Sequence, residues 1–230
     1  MKKLKILYED KQLLILEKTS GELTISTPKE KERTLYAEAS AYVKKQYPKN
    51  KVFIVNRLDK ETSGIVVFAK KEEIKRYLQI NWDTCAQQRE YIGVVEGKVE
   101  KDKATLQYFL KEDAYLKVHV AQKGKKAITK YEVMTKNKNY SLLNINILTG
   151  RKHQIRVSLS EINHPLTGDK KYGAKKNPIG RLALHATKLT LQVPYRKEPI
   201  QVESKPPKEF FELCKEKGVW SYGKITKSYC

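Results

Sequence analysis

Apolar residues recur along this chain in two rhythms, and each change of rhythm marks a change of element. The short apolar runs at 5–8 and 13–16 read as two opening strands. From residue 35 the period lengthens: Leu35, Ala39, Tyr42, Val43 and Gln46 form a stripe that predicts a helix over 35–46. Two runs rich in β-branched and aromatic residues follow at 52–55 and 65–69, with the polar stretch 56–64 between them. Ile74, Tyr77, Leu78, Trp82 and Cys85 then recur at spacings of three and four, predicting a helix over 72–87 with Glu72 and Glu73 in its first turn. The middle returns to strands at 91–95, 105–110, 116–120, 128–134 and 140–148, separated by Lys, Asn and Gly clusters. The last of these alternates cleanly, Leu143, Ile145 and Ile147 on one face and Asn144 and Asn146 on the other. A helix is expected after Thr149-Gly150, a strand near 182–191, and a short helix near 210–215 behind Pro206-Pro207. Strands in clusters with few helices predict an α+β fold with a mixed, mainly antiparallel sheet. Without an internal repeat, low-complexity tract or long linker, one domain over 1–230 is expected, its last dozen residues loosely held.

The composition is globular, 40% hydrophobic and 32% charged, and 230 residues suffice for one sizeable core. Charge changes the picture. Lys+Arg 47 against Asp+Glu 26 gives a formal net charge of +21. A lysine-favouring proteome accounts for part of this excess; the rest points to a polyanionic partner, nucleic acid ahead of membrane. No stretch is apolar enough to span a bilayer, and MKKLKILYED lacks the apolar core and cleavage site of a signal peptide. Cys85, Cys214 and Cys230 are far apart and suggest reduced thiols in a cytoplasmic protein. With His119, His153, His164 and His185 they make no ligand spacing, so no metal is expected.

Three stretches carry more chemistry than their elements require. In NRLDKETSG (56–64), Arg57 and Asp59 are two apart on an extended segment and would project from one face. Asp59 is either a turn carboxylate accepting N–H groups beside Thr62 and Ser63 or a reactive group set into the loop. In GRKHQIR (150–156), Ile155, Leu159 and Ile162 form an apolar side, leaving His153 and Arg156 on a shared face. This is either an ordinary basic helix start or an anion site. Basic residues there oppose the helix dipole, so a bound phosphate or a buried carboxylate would have to account for them. In REYIGVVEG (89–97), Tyr91 is either a core aromatic or a base-stacking one.

Together these stretches resemble the RluA-type pseudouridine synthases. NRLDKETSGIVVFAK is similar to the HRLD-x-x-TSG signature and REYIGVVEG to the K-x-Y strand; KAITKYEV, TGRKHQIRVSL, HPLTGDKKYG and RLALHATKL match further family blocks in order. The resemblance runs from about residue 6 to 191 and leaves 192–230 as a C-terminal extension. It implies the pseudouridine synthase fold, with Asp59 as the catalytic aspartate, Tyr91 packed on the target uracil, and Arg156 paired with Asp59. It implies that Arg57 holds or replaces a flipped nucleotide, that Ile155 or its neighbours complete the apolar side of the base pocket, and that His153, Gln154 and His185 support the site; Arg151 is an RNA contact by its charge. Asn56 stands where the family has histidine, Arg89 where it has lysine, Ser158 where it has histidine, and Glu17-Lys18-Thr19-Ser20-Gly21 where N-K-P-x-G is common. The chain begins directly with the catalytic domain, so the separate N-terminal S4-type module of many relatives is expected to be missing.

The reaction implied breaks the N1–C1′ bond of a uridine, turns the base and rejoins it through C5, with no cofactor, metal or ATP. It needs a carboxylate that attacks C1′ or removes the C2′ proton, in a pocket dry enough to hold a detached uracil. A cation paired with that carboxylate is the physical need for Arg156. The expected partner is ribosomal large-subunit or transfer RNA, met by a monomer. A non-catalytic RNA-binding or chaperone protein would account for the charge but not for Asp59, Tyr91 and Arg156 together. A nucleoside hydrolase would share the first bond cleavage and release free uracil.

Overall fold

The structure, a computed structural model, describes residues 4–26 and 34–215. Its centre is β4 (Ser63–Ala69), buried along its whole length. On one edge β4 pairs antiparallel with β2 (Leu13–Lys18), itself paired with β1 (Ile6–Glu9). On the other edge its end meets β3 (Phe53–Ile54), and its start lies parallel to β10 (Leu184–Leu191). From β10 the sheet continues through β5 (Ala86–Glu96), β9 (Tyr140–Ile147), β8 (Lys125–Lys136), β6 (Lys103–Glu112) and β7 (Val118–Val120), each pair antiparallel. β11 (Ile200–Glu203) adds to β10. This is the mixed, mainly antiparallel α+β arrangement that the sequence alternation predicts.

Helices cover both faces of the sheet. Leu14, Leu16, Val66 and Phe68 pack with Leu35, Ala39 and Val43 of α1 (Leu35–Gln46), whose N-cap Thr34 accepts from the Ala37 N–H. Alternate residues of the same strands, Leu13, Ile15, Ile65 and Val67, pack with Ile74 and Leu78 of α2 (Glu72–Ile80). Period-two alternation sends successive side chains to opposite faces, so a continuous apolar run marks a strand buried on both. Across the sheet, Ile155 and Leu159 of α4 (Gln154–Glu161) join Ile145, Leu166 and Leu184. Phe210 of α5 (Lys208–Leu213) packs with Ile92, Val94 and Leu142.

The structure corrects several boundaries. The helix expected over 72–87 stops at Ile80; the Asn81 side chain donates to the Tyr77 carbonyl and closes the turn. A four-residue turn, α3 (Trp82–Cys85), then restarts from Asn81, which preserves the apolar spacing across the break. β5 begins at once, well before the expected residue 91. The helix after Gly150 starts only at Gln154, with His153 as its N-cap in the left-handed region at φ 53°. Within the C-terminal extension, β11 pairs with β10 and α5 sets Phe210 into the core. The last dozen residues and Cys230 lie outside the described residues.

Candidate active site

The loop 56–62 is pinned from two sides. Val67 N–H donates to Asn56 Oδ1 at 2.8 Å, so the residue standing where the family has histidine extends the β3–β4 ladder. The turn after β2 holds the rest. Thr24 Oγ1 donates to the Leu58 carbonyl (3.0 Å), Gly21 N–H to that of Lys60 (2.9 Å), and Ser20 Oγ to that of Glu61 (2.6 Å). Lys18 is fully buried and donates from Nζ to the carbonyls of Thr19, Glu22 and Lys60. Burial pulls its ammonium down to about 8 against the raising charges of Glu22, Asp59 and Glu61.

The loop's C-terminal end is fixed by a close approach of strands. A Cβ on Gly64 would sit 2.2 Å from the Ala186 carbonyl oxygen, and Gly64 has φ 114°, so only glycine lets β4 meet β10 there. Beside it, Arg181 donates to Ser63 Oγ (2.7 Å), and Ser63 meets His185 Nδ1 (2.8 Å). His185 Nε2 reaches Ser204 Oγ at 3.0 Å on the far side. Burial first of all pushes the His185 imidazole down to about 4. His185 is therefore neutral at pH 7, and the bonds that use every proton run from Arg181 to Ser63, from the Ser63 hydroxyl to Nδ1, and from Nε2–H to Ser204.

Asp59 lies in this pinned loop, partly exposed, and Arg156 reaches it from α4. Arg156 Nη1 donates to Asp59 Oδ2 at 3.1 Å, while Nε and Nη2 grip Asp169 Oδ2 and Oδ1 at 2.7 and 2.8 Å. Asp169 is almost fully buried, so its pair with Arg156 is the inner half of the constellation and Asp59 the outer half. Burial pulls the Arg156 guanidinium down, but the Asp169 hydrogen bonds and charge, with Asp59, outweigh it and leave it raised. Its guanidinium also sits 5.1 Å over the Tyr172 ring. The carboxylate that the basic run GRKHQIR called for is thus Asp169.

His153 completes the wall. Its Nδ1 meets the Tyr172 hydroxyl at 2.6 Å, and its Nε2 lies 3.7 Å from Asp59 Oδ2, beyond hydrogen-bond reach. The Tyr172 oxygen accepts the Val118 N–H (3.3 Å) and gives its own proton to Nδ1, which leaves the imidazole proton on Nε2, facing Asp59. Burial holds His153 below the ordinary histidine value, opposed only in part by Asp59, so it is neutral at pH 7. Its left-handed backbone is uncommon for a residue with a Cβ and lets the chain turn from β9 into α4 while the ring faces inward.

Tyr91 lies on β5, packed against the cluster that contains Ile145 and Ile155. Its hydroxyl makes no hydrogen bond among the described residues. Burial pushes that hydroxyl up to about 12, Arg89 lowering and Asp59 raising it, so it stays a phenol at neutral pH and lies within the field of Asp59. Ile155 is buried in the same cluster.

The remaining candidates divide. Arg57 is exposed at the rim. Arg151 lies in the turn before α4 rather than on the helix; its Nε donates to the Lys126 carbonyl (3.0 Å), and its guanidinium is 4.0 Å from Asp83. Gln154 is buried and turned inward. It accepts from Thr149 Oγ1 and the Arg151 N–H and donates to the Ile128 carbonyl and Thr129 Oγ1, which makes it a brace for the β9–α4 turn. Arg89 is buried and paired with Asp83 at 2.8 Å. Ser158 is buried 3.5 Å from Thr129 Oγ1. Sequence reasoning missed Asp169, Tyr172 and Lys18. Asp169 had a visible signal, as the only carboxylate between Glu161 and Glu198.

The profile of the RNA pseudouridylate synthase family matches residues 12–161. An uncharacterised RNA pseudouridine synthase of Bacillus subtilis is 36% identical over 220 residues, covering 92% of this chain and 72% of that protein. A ribosomal large subunit pseudouridine synthase D of Haemophilus ducreyi is 31% identical over 228 residues, covering 91% of this chain and 69% of its own. In fold, the chain is similar to human RNA pseudouridylate synthase domain containing 4, with a TM-score of 0.72 at 22% identity over 90% of each chain.

Proposed function

Since this chain belongs to the RluA-type RNA pseudouridylate synthase family and is an RNA pseudouridine synthase, an isomerase, we propose that Asp59 is its catalytic carboxylate and large-subunit ribosomal RNA its substrate. The observation that carries the first part is Arg156 bridging Asp59 to a buried second carboxylate. A guanidinium already locked on Asp169 presents its remaining edge to Asp59 without having to be ordered, so the reactive carboxylate is held and charge-compensated before RNA arrives. Asp59 attacks C1′ or removes the C2′ proton; both routes use the ionised form and leave the detached uracil between Tyr91 and the apolar wall at Ile155. Tyr91, a phenol at neutral pH, stacks on that base with its ring. Once the base is rejoined through C5 and Asp59 is a free carboxylate again, the Tyr91 oxygen takes the C5 proton as its own phenol proton passes to Asp59. The proton lost from C5 is balanced by the one gained at N1.

The uridine has to leave its stack, at a cost of roughly a few kcal/mol. Arg57 at the rim takes the vacated space, and Arg151 and the surrounding lysines meet phosphates. The β6–β7 hairpin stands beside the site. Tyr115 at its tip is 90% exposed, and Lys171 donates to the neighbouring Leu116 carbonyl. An exposed aromatic among cations suits an RNA partner. The Haemophilus ducreyi relative, named as a ribosomal large-subunit enzyme, favours ribosomal over transfer RNA. The enzyme acts as a monomer in the cytoplasm. Pseudouridine mapping of total RNA from cells with and without the gene tests this reading. At least one large-subunit uridine should lose its modification; loss confined to transfer RNA would overturn the substrate assignment, and no loss anywhere would overturn the activity in that cell.

A further inference from the structure

At the end of β4 remote from Asp59 lies a cleft of about 310 Å³ lined by Lys11, Val43, Gln46, Asn50, Lys51, Lys70 and Lys71. Its lysines come from three separate segments: the β1–β2 turn, the loop after α1 and the segment joining β4 to α2. Lys70 is fixed in the wall, its Nζ 2.6 Å from Glu9 and 2.8 Å from the Asp10 carbonyl. Glu9 is further committed to Tyr42 and Gln46, and the Asp10 carboxylate to Tyr8 and the backbone N–H groups of Gln12 and Leu13. Lys11, Lys51 and Lys71 are exposed and have no ion partner among the described residues. Like charges gathered on a concave surface repel one another and raise the local potential. The α1 helix dipole accounts for Lys44 and Lys45 in the last turn, but not for three lysines on other segments.

We propose that this cleft is a second phosphate-binding site, which takes the backbone of a helical arm of the same RNA at a distance from the modified uridine. The inference rests on the RNA reading above and goes beyond it. β4 runs from Ser63 beside the active loop to Ala69 beside the cleft, so its seven residues set the two about 20 Å apart. At about 3 Å of rise per base pair, an RNA whose duplex continues at least six or seven base pairs past the target loop spans that distance, and a stem-loop with a stem of three or four base pairs does not. The substrate is therefore a uridine within extended helical structure, gripped at two places.

The test compares the full chain with a triple variant, Lys11→Gln, Lys51→Gln and Lys71→Gln, and with a control triple of exposed lysines elsewhere, Lys98→Gln, Lys101→Gln and Lys138→Gln. Binding is measured against salt for a short stem-loop and for an RNA duplex of about 16 base pairs or more, a length that reaches across successive grooves. Each lost phosphate contact lowers the log–log salt slope by about 0.7–0.9, so the cleft variant should lose about 2–3 on the long duplex and bind it about tenfold more weakly near physiological salt. Its stem-loop affinity and single-turnover rate should be unchanged. Its melting temperature at low salt should hold or rise, because repulsion is relieved; a purely structural role for these lysines would lower it. An unchanged slope on the long duplex, an equal fall in the control, or equal weakening on both RNAs overturns the proposal. Pseudouridine formation by the wild type is read separately, so a failure of the activity and a failure of the cleft are distinguishable.

Discussion

Arg156 directs three donors at two carboxylates, and the inner one carries consequences that a simple Asp59–Arg156 pair would not. Removing the guanidinium strands Asp169 in the interior, so Arg156→Met should cost about 3–5 kcal/mol of stability as well as the rate. A cleaner probe is Asp169→Asn, which keeps shape and removes one charge. It should lower the single-turnover rate by about 10²-fold through a guanidinium that no longer holds its place, while RNA affinity stays within a few-fold. Arg156→Lys should retain part of the rate, since a point charge persists without the bidentate grip. Arg151→Met, whose side chain touches a carbonyl and distant Asp83 rather than Asp59, should weaken RNA binding and spare the chemical step; the opposite ranking of the two arginines would break the assignment. Tyr91→Phe loses no hydrogen bond and should fold normally, with turnover slowed or arrested in single-turnover assays; wild-type turnover would remove the hydroxyl from the mechanism. As candidates, Asp59, Tyr91 and Arg156 were legible because each lies in a short motif. Asp169 stood out only as a lone carboxylate, and no spacing rule says that the Arg156 guanidinium grips it with two nitrogens while giving the third to Asp59.

The loop that carries Asp59 leads into the short parallel pairing of β4 with β10, where the backbones meet at Gly64 and leave no room for a side chain. Gly64→Ala would drive a Cβ into the Ala186 carbonyl and should destabilise the protein by roughly 2–4 kcal/mol in urea titrations. Wild-type stability in that variant would show that the strands part without penalty. The same pairing carries a pH signature. His185 is held near 4 when folded against an ordinary 6.5, so on acidification the unfolded chain takes the proton first. Its contribution is present above about 6.5 and is lost as pH falls toward 4, by about 3 kcal/mol in all. A wild-type stability curve should drop across that window relative to His185→Leu; parallel curves would mean that the imidazole is not so deeply depressed. Period and turn chemistry revealed most elements, and α1 matches its stripe from end to end. The break at Asn81 was hidden because its side chain closes α2 while the apolar spacing continues into α3. β11 escaped because four residues in a Lys- and Pro-rich stretch carry too little period to stand out.

At the scale of the whole molecule, a net charge of +21 spread over a sheet of eleven strands makes RNA binding an electrostatic event. Affinity should fall steeply with salt, by roughly 0.7–0.9 in log–log slope for each phosphate neutralised; a nearly flat plot would mean that the charge serves something other than RNA. The proposed scheme separates binding from chemistry, because it assigns RNA affinity to many lysines and the chemical step to one carboxylate. That separation makes Asp59→Asn the most direct test of the account. Pseudouridine formation is measured under single turnover, with saturating enzyme, on RNA from cells lacking the gene, alongside the affinity of wild type and variant for that RNA. The account predicts no detectable product with affinity within a few-fold of wild type. Pseudouridine formed by the variant at a rate near that of wild type would contradict it.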